Sequence, residues 1–156
     1  TVTMIQLANA YAAIANGGVL MQPYIISEIR HDDGTVTITD PQEIRRVVSE
    51  DTSAKISKML INAVENGVAK EARIDTHYVA AKTGTAQTYK YNRVLTGLGT
   101  TIVSIAGFAP VDDPRFVIVI KMDYPRSSMW CADTAAPTFK KIAEYLFDYY
   151  NIPPDR

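Results

Sequence analysis

The chain has 156 residues, of which 47% are hydrophobic and 21% are charged, so it is predicted to form one globular domain or one large piece of a domain. Sixteen lysines and arginines against seventeen acidic residues give a net charge of -1, which excludes the basic surface typical of a nucleic-acid-binding protein. One cysteine and two histidines provide neither a disulfide nor a cluster of metal ligands. No apolar run reaches the ~18 residues that a membrane-spanning helix needs.

A helix is predicted at the start of the sequence. Thr3 and Gln6 form a capping-box pattern, and Gly17-Gly18 provides a left-handed stop. Its apolar stripe, at helical spacing, consists of Met4, Leu7, Tyr11 and Ile14. Because this apolar helix begins so close to residue 1, we expect part of its packing partners to lie upstream.

A hairpin and a second helix follow. Residues 19–30 are rich in β-branched and aromatic side chains and 36–38 alternate, with an Asp-Asp-Gly turn between them, which predicts two paired strands. Ser49 is expected to cap a helix that ends at Asn66-Gly67. The apolar stripe expected for this helix is Ile56, Met59, Leu60, Ala63 and Val64.

Three strands are predicted in the second half of the chain. Residues 78–88 favour a strand despite their small side chains, and 88–100 favour a loop. Apolar runs over 101–109 and 115–123 predict two more strands, which the short reversal at 110–114 makes antiparallel neighbours. Because these runs are apolar on both faces, helices are expected on both sides of the sheet.

A last helix is predicted from near Pro137 to about Tyr150, with Pro153-Pro154 as its stop. Its core-facing stripe is expected to be Phe139, Ile142, Ala143, Leu146, Phe147 and Tyr150. Together, these elements predict an α+β fold in which an antiparallel sheet is covered by helices.

One short motif on the first predicted sheet strand carries chemistry: Lys82-Thr83-Gly84-Thr85. Lys82 supplies positive potential, and the hydroxyls of Thr83 and Thr85 can donate to an anionic group. Gly84 removes the side chain that would keep a ligand from the backbone. An extended substrate could therefore pair with this strand through main-chain hydrogen bonds. An ordinary exposed strand can also contain the tripeptide, so the motif alone is weak evidence.

The surrounding sequence resembles the class B penicillin-binding proteins, the serine D,D-transpeptidases that cross-link bacterial peptidoglycan. The matching stretches, in family order, are VTMIQLA at 2–8, YAAIANGG at 11–18, KTGTAQ at 82–87, AGFAP at 106–110 and AAPTF at 135–139. The residues of the two apolar strands are more similar to the division and sporulation branch than to the elongation branch.

In this family three boxes form the transpeptidase site: Ser-x-x-Lys, Ser-x-Asn and Lys-Thr-Gly. No serine of this chain begins a Ser-x-x-Lys or a Ser-x-Asn box. Thr52 with Lys55, and Thr138 with Lys141, have the spacing of the first box but offer threonine, and we interpret both as coincidences. The family order places the two absent boxes upstream of residue 1, which implies that this chain alone is inactive.

The resemblance therefore implies that residues 1–156 are the C-terminal portion of a transpeptidase domain of the penicillin-binding and β-lactamase-like fold. Residues 1–76 would be part of the helical subdomain together with a hairpin. Residues 77–156 would contribute three sheet strands and the C-terminal helix.

The resemblance also implies roles for the residues of the motif. Lys82 would be catalytic, since it would hold the proton-transfer network of the absent serines in a positive field. Thr83 and Thr85 would bind the substrate carboxylate, and the backbone N–H of Thr85 would be one of two oxyanion-hole donors. Gly84 would allow close approach. Where the family usually has glycine before the lysine, this chain has Ala81.

For the intact protein, the resemblance implies a transpeptidase that needs no metal and no cofactor. Its partners would be D-Ala-D-Ala stem peptides, β-lactams, the N-terminal part of the same domain and divisome proteins. It would act at the extracytoplasmic face of the bacterial cytoplasmic membrane, held by an anchor upstream. A β-lactamase or D,D-carboxypeptidase of the same fold is one alternative. A non-catalytic β-lactam sensor or divisome-interaction module is another, and an upstream Ser-x-x-Lys box would favour an enzyme.

Three further features are interpreted structurally. His77 is assigned a surface or capping role rather than a contact in the site. The loop 89–93 could border the cleft or be a mobile surface loop. Trp130 and Cys131, just before the last helix, are assigned a packing role.

Overall fold

The computed structural model describes residues 2–156. Its helices are α1 (Met4–Ala15), α2 (Glu50–Glu65) and α3 (Ala135–Tyr149), with a 3-10 turn at Lys70–Ala72. Its strands are β1 (Val19–Met21), β2 (Glu28–Arg30), β3 (Val36–Ile38), β4 (Glu43–Arg46), β5 (Ala80–Gln87), β6 (Tyr89–Lys90), β7 (Arg93–Val94), β8 (Thr101–Ala109) and β9 (Phe116–Asp123). No helix in this part of the chain is both long enough and apolar enough to cross a membrane.

The first two helices begin at the caps predicted for them. The backbone N–H of Gln6 donates to Thr3 Oγ1 at 3.2 Å, and the N–H of Thr3 donates to Gln6 Oε1 at 2.8 Å, which completes the capping box. At the second helix, the N–H of Thr52 donates to Ser49 Oγ at 3.1 Å. The predicted stripe of α2 was wrong at Met59, which is 70% exposed.

The central sheet has the strand order β5-β8-β9, antiparallel throughout, which confirms the predicted arrangement. Helix α3 packs on the face that carries Val103 and Ile105 of β8. Helix α1 contacts β8 and β9 from the other face, where Ala106 and Phe108 point. Helices therefore cover both sides, as the apolar strands predicted, and the α+β fold class is confirmed.

The structure divides the strand predicted over 19–30 into two. β1 pairs with β4, which was not predicted, while β2 pairs with β3 as the hairpin prediction required. The last bond between the two segments runs from the N–H of Gln22 to the carbonyl of Gln42. Pro23 follows and has no N–H to donate, so the β1–β4 ladder cannot continue through it.

Two further differences lie in the second half. Residues predicted as loop contain the small hairpin β6–β7, whose turn places Tyr91 and Asn92 at positive φ of 49° and 58°. Helix α3 begins at Ala135, two residues before Pro137. The helix tolerates this proline because the N–H groups of the first helical turn have no partner within the helix. Within its stripe Phe139, Ala143 and Phe147 are buried and Leu146 is half-buried, whereas Ile142 and Tyr150 are exposed.

We expect the 156-residue chain on its own to self-associate through β9. This strand pairs with β8 on one side and has no strand partner on its other side within residues 2–156. An unpaired apolar edge is a template for another chain. Light scattering coupled to size-exclusion chromatography should show dimers or larger species, and the upstream part of the domain should suppress them. A monodisperse monomer at high concentration, with β9 protected from hydrogen exchange, would contradict this expectation.

Candidate active site

The four residues of the motif lie at the middle of β5, an edge strand. β5 pairs with β8 along its whole length, and its opposite edge has no strand partner in the part of the chain that the structure describes. Lys82 lies opposite Ala106, and Gly84 lies opposite Ser104. The free edge therefore presents main-chain groups to which an extended ligand can add as a further strand.

Lys82 is exposed and carries a charge that no carboxylate neutralises. Its Nζ donates to the carbonyl of Thr83 at 2.8 Å, and it belongs to none of the ion pairs between residues 2 and 156. Two unit charges 4 Å apart attract by about 1 kcal/mol in water and by more near a protein surface. A positive potential at this edge is thus available to an anionic ligand.

Gly84 leaves room for a side chain of the neighbouring strand. A Cβ at this position would lie 2.7 Å from Ser104 Oγ, closer than real Cβ atoms approach other heavy atoms. The side-chain hydroxyl of Ser104 thus occupies the space beside the Gly84 backbone.

Ala81, the departure from the family pattern, lies in regular strand and is fully buried. Its partner across the ladder is Gly107, where a Cβ would lie 2.6 Å from Ala81 Cβ and 2.6 Å from the carbonyl oxygen of Ala80. The methyl group of Ala81 therefore takes the volume that Gly107 leaves free, and the strand keeps its geometry up to Lys82.

Cys131 lies in the core behind β5. Its Sγ donates to the carbonyl of Ser104 at 3.0 Å, and burial raises the pKa of the thiol, so it is held in the protonated form. The packing role predicted for Cys131 is confirmed. Trp130, which was assigned the same role, is 59% exposed and lines a cavity beside the motif.

Two cavities flank the motif. One, of about 460 Å³, is lined by residues that include Thr85, Gln87 and Trp130. The other, of about 350 Å³, lies on the opposite face of β5 beside Gly84 and Ser104. Between residues 2 and 156, no group of three or more His, Cys, Asp or Glu side chains is arranged to hold a metal ion.

Of the remaining sequence candidates, His77 and Lys55 lie outside the site, whereas Tyr89 of the 89–94 hairpin lines a cavity beside the motif. His77 is buried, which makes the surface interpretation wrong, and its ring stacks on Phe147 with centroids 3.6 Å apart. The hairpin at 89–94 is exposed beside the larger cavity. Lys55 pairs with Asp51 at 2.6 Å on the outside of α2, as expected if its spacing to Thr52 is a coincidence.

The sequence model of the penicillin-binding protein transpeptidase domain matches residues 1–144. The chain belongs to this family. Among curated relatives, it is 34% identical to penicillin-binding protein PbpB of Mycolicibacterium smegmatis over 98% of this chain and 25% of the relative. It is 37% identical to stage V sporulation protein D of Bacillus subtilis over 87% of this chain and 21% of the relative.

Solved structures agree with the sequence relatives. The chain superposes on penicillin-binding protein 3 of Mycobacterium tuberculosis in its apo form with a TM-score of 0.85 at 33% identity, covering 99% of this chain and 37% of that one. The ampicillin complex of the same protein gives 0.85 at 34% identity, covering 98% and 36%. The predicted membership in the class B penicillin-binding proteins, on the division and sporulation side, is thereby confirmed.

This member of the transpeptidase family spans about a quarter of the length of the curated relatives it matches. The activity, substrates and partners of the whole protein therefore depend on parts of it outside these 156 residues and are proposed below. The Lys-Thr-Gly strand, its register and its free edge are properties of this chain itself.

We expect Gly84→Ala to destabilise this chain by about 1–3 kcal/mol, the usual cost of overpacking. The new methyl would meet Ser104 Oγ at 2.7 Å. In the Ser104→Ala background the same substitution should cost less than half as much, because the opposing hydroxyl is gone. Urea denaturation of the four chains measures both costs. Equal costs in the two backgrounds would show that this contact does not explain the glycine.

Proposed function

We propose that this chain is the C-terminal part of the transpeptidase domain of an enzyme that cross-links peptidoglycan stem peptides through a serine acyl-enzyme. The observation that carries the proposal is the uncompensated cation of Lys82 on a free strand edge, in a chain of this family. Curated relatives named peptidoglycan D,D-transpeptidases support this activity over hydrolysis.

The reaction has two acyl transfers. The serine oxygen attacks the carbonyl carbon of the penultimate D-Ala, the peptide C–N bond breaks, and the leaving D-Ala amine takes a proton. The amine of a neighbouring stem then attacks the ester carbonyl, the C–O bond breaks, and the serine recovers its proton. The nucleophile and its activating lysine come from the Ser-x-x-Lys box upstream, and no redox step or cofactor is needed.

The residues of this chain bind and orient the donor strand. Lys82 attracts the terminal carboxylate of D-Ala-D-Ala and keeps the proton-transfer groups of the upstream boxes in a positive field. The hydroxyls of Thr83 and Thr85 donate to that carboxylate. The backbone N–H of Thr85 is one of two donors to the oxyanion that forms on the attacked carbonyl, where preorganised donors contribute most to catalysis.

The same edge accepts β-lactams, whose carboxylate takes the place of the substrate carboxylate. Crystal structures of penicillin-binding protein 3 of Mycobacterium tuberculosis with aztreonam and with ampicillin support this part of the proposal. The structural partner of the chain is the N-terminal part of its own domain. The intact protein works at the extracytoplasmic face of the cytoplasmic membrane, where it meets divisome proteins.

We expect no covalent labelling of the isolated 156-residue chain by fluorescent penicillin. A β-lactam acylates only an activated nucleophile, and this sequence contains no Ser-x-x-Lys box. Adding the upstream part of the same domain should restore labelling on a serine of that part. Stoichiometric labelling of the isolated chain, located by mass spectrometry on one of its own residues, would overturn the proposal that the nucleophile lies upstream.

We expect Lys82→Ala, in the protein that includes the upstream boxes, to lower the rate of β-lactam acylation by roughly 10²-fold or more. This is the order of loss when one preorganised electrostatic group is removed from a reaction centre. Lys141→Ala, on the exposed side of α3, is the matched control and should leave the rate unchanged. Equal rates for the two variants would remove Lys82 from the catalytic machinery.

A further inference from the structure

The segment that follows α3 returns to the residues just before β5. The backbone N–H of Asp155 donates to the carbonyl of Thr76 at 3.1 Å. In the opposite direction, the N–H of Tyr78 donates to Asp155 Oδ1 at 2.8 Å. These reciprocal bonds fix residues 152–156 against residues 74–78.

Arg156 extends this contact to α2. Its Nη1 lies 2.7 Å from Oε1 of Glu65, the last residue of that helix, and its Nη2 donates to the carbonyl of Ile74. The guanidinium carbon lies 4.8 Å from the centroid of the Tyr78 ring, within cation–π distance. Because the arginine side chain is only 12% exposed, water screens this pair less than an ordinary surface pair.

His77 adds a third connection, to α3. Its ring lies flat on Phe147, with an interplanar angle of 8°, and its Nε2 lies 3.0 Å from the carbonyl oxygen of Pro153. A carbonyl oxygen only accepts, so Nε2 carries the hydrogen in this bond. Residues 74–78 are therefore held by the 152–156 segment, by the end of α2 and by α3.

This connection lies where it can determine the position of the site. β5 begins two residues after Tyr78, and Lys82 follows two residues later. Within residues 2–156 the strand has one strand partner, β8, and also packs against α2, so the segment just before it is a third restraint, at the end from which Lys82 is placed. A slip of one residue would exchange the faces of Lys82 and Thr83.

We propose that the 152–156 segment is a clamp that fixes the position of β5, so that Asp155 and Arg156 are positioning residues for the Lys82–Thr85 motif. The catalytic part of this proposal rests on the proposed function. The clamp lies beyond residue 144, where the match to the family ends. It acts through Tyr78 and Ile74, the residues it binds, rather than by contact with a substrate.

The test uses the intact protein that carries this chain, with fluorescent penicillin as the acylating probe. Asp155→Ala and Arg156→Ala should each lower the acylation rate per folded molecule by roughly 10-fold, within the ~10²-fold that a 1 Å misplacement can cost. Asp155→Asn should keep the wild-type rate, because its Oδ1 still accepts from Tyr78. Rates are measured well below the unfolding midpoint of every variant.

The matched control is Asn9→Ala, which removes a side-chain bond to a backbone carbonyl, from Asn9 Nδ2 to Met21 at 3.1 Å, that joins α1 to β1 and does not involve the residues before β5. It should lower thermal stability without changing the rate. Hydrogen exchange supplies a readout that needs no activity: Asp155→Ala should speed exchange in peptides covering residues 78–87, and Asn9→Ala should not.

Unchanged exchange over 78–87 in both clamp variants would overturn the proposal. So would wild-type acylation rates per folded molecule in Asp155→Ala and Arg156→Ala, since these residues would then contribute to stability alone. If the wild-type protein itself is not acylated, the proposed function fails, and the exchange measurement alone decides whether the clamp holds β5.

Discussion

The pairing of β5 with β8 is the interaction on which the site depends. Each group proposed to contact substrate belongs to β5, and β8 is its lateral partner within residues 2–156. Two matched pairs set how closely the strands approach: Ala81 with Gly107, and Gly84 with Ser104. In each pair a glycine lies opposite a small side chain, so a methyl group added to either glycine would collide with the facing strand. The Lys-Thr-Gly motif is thus half of a packing arrangement whose other half is in β8.

The electrostatics of the motif follow from its exposure. Some cations of the described chain, such as Lys55 and Lys121, have carboxylates within ion-pair distance, whereas Lys82 has none and its Nζ donates to the carbonyl of Thr83. A lysine at the surface keeps its charge without a partner at little cost, because water solvates it. When a ligand strand displaces that water, the same charge acts in a lower dielectric and attracts a carboxylate more strongly. Binding itself therefore strengthens the recognition.

The sequence predicted the elements whose signals are local. Caps at Thr3 and Ser49 located two helices, and the apolar runs of β8 and β9 located the sheet, because capping and burial leave their mark on neighbouring residues. The motif could be placed on a strand for the same reason. Other features depend on partners distant in sequence. β4 forms only because β1 is opposite it, and the burial of His77 depends on Phe147 and Pro153. No periodicity within a short window reports such contacts.

The two edges of the central sheet illustrate how one physical property has opposite consequences. A free edge exposes unpaired main-chain groups, which at β5 are the proposed means of binding an extended substrate and at β9 are a hazard of association. Their side chains differ accordingly. β5 carries Lys82 and small polar residues, whereas β9 is apolar from Phe116 to Ile120. An edge that must accept a ligand has to stay open while resisting slippage, and restraint from its ends meets both demands because it leaves the lateral hydrogen-bonding groups free. A second lateral strand would also hold β5 but would occupy the main-chain groups to which the proposed substrate strand adds.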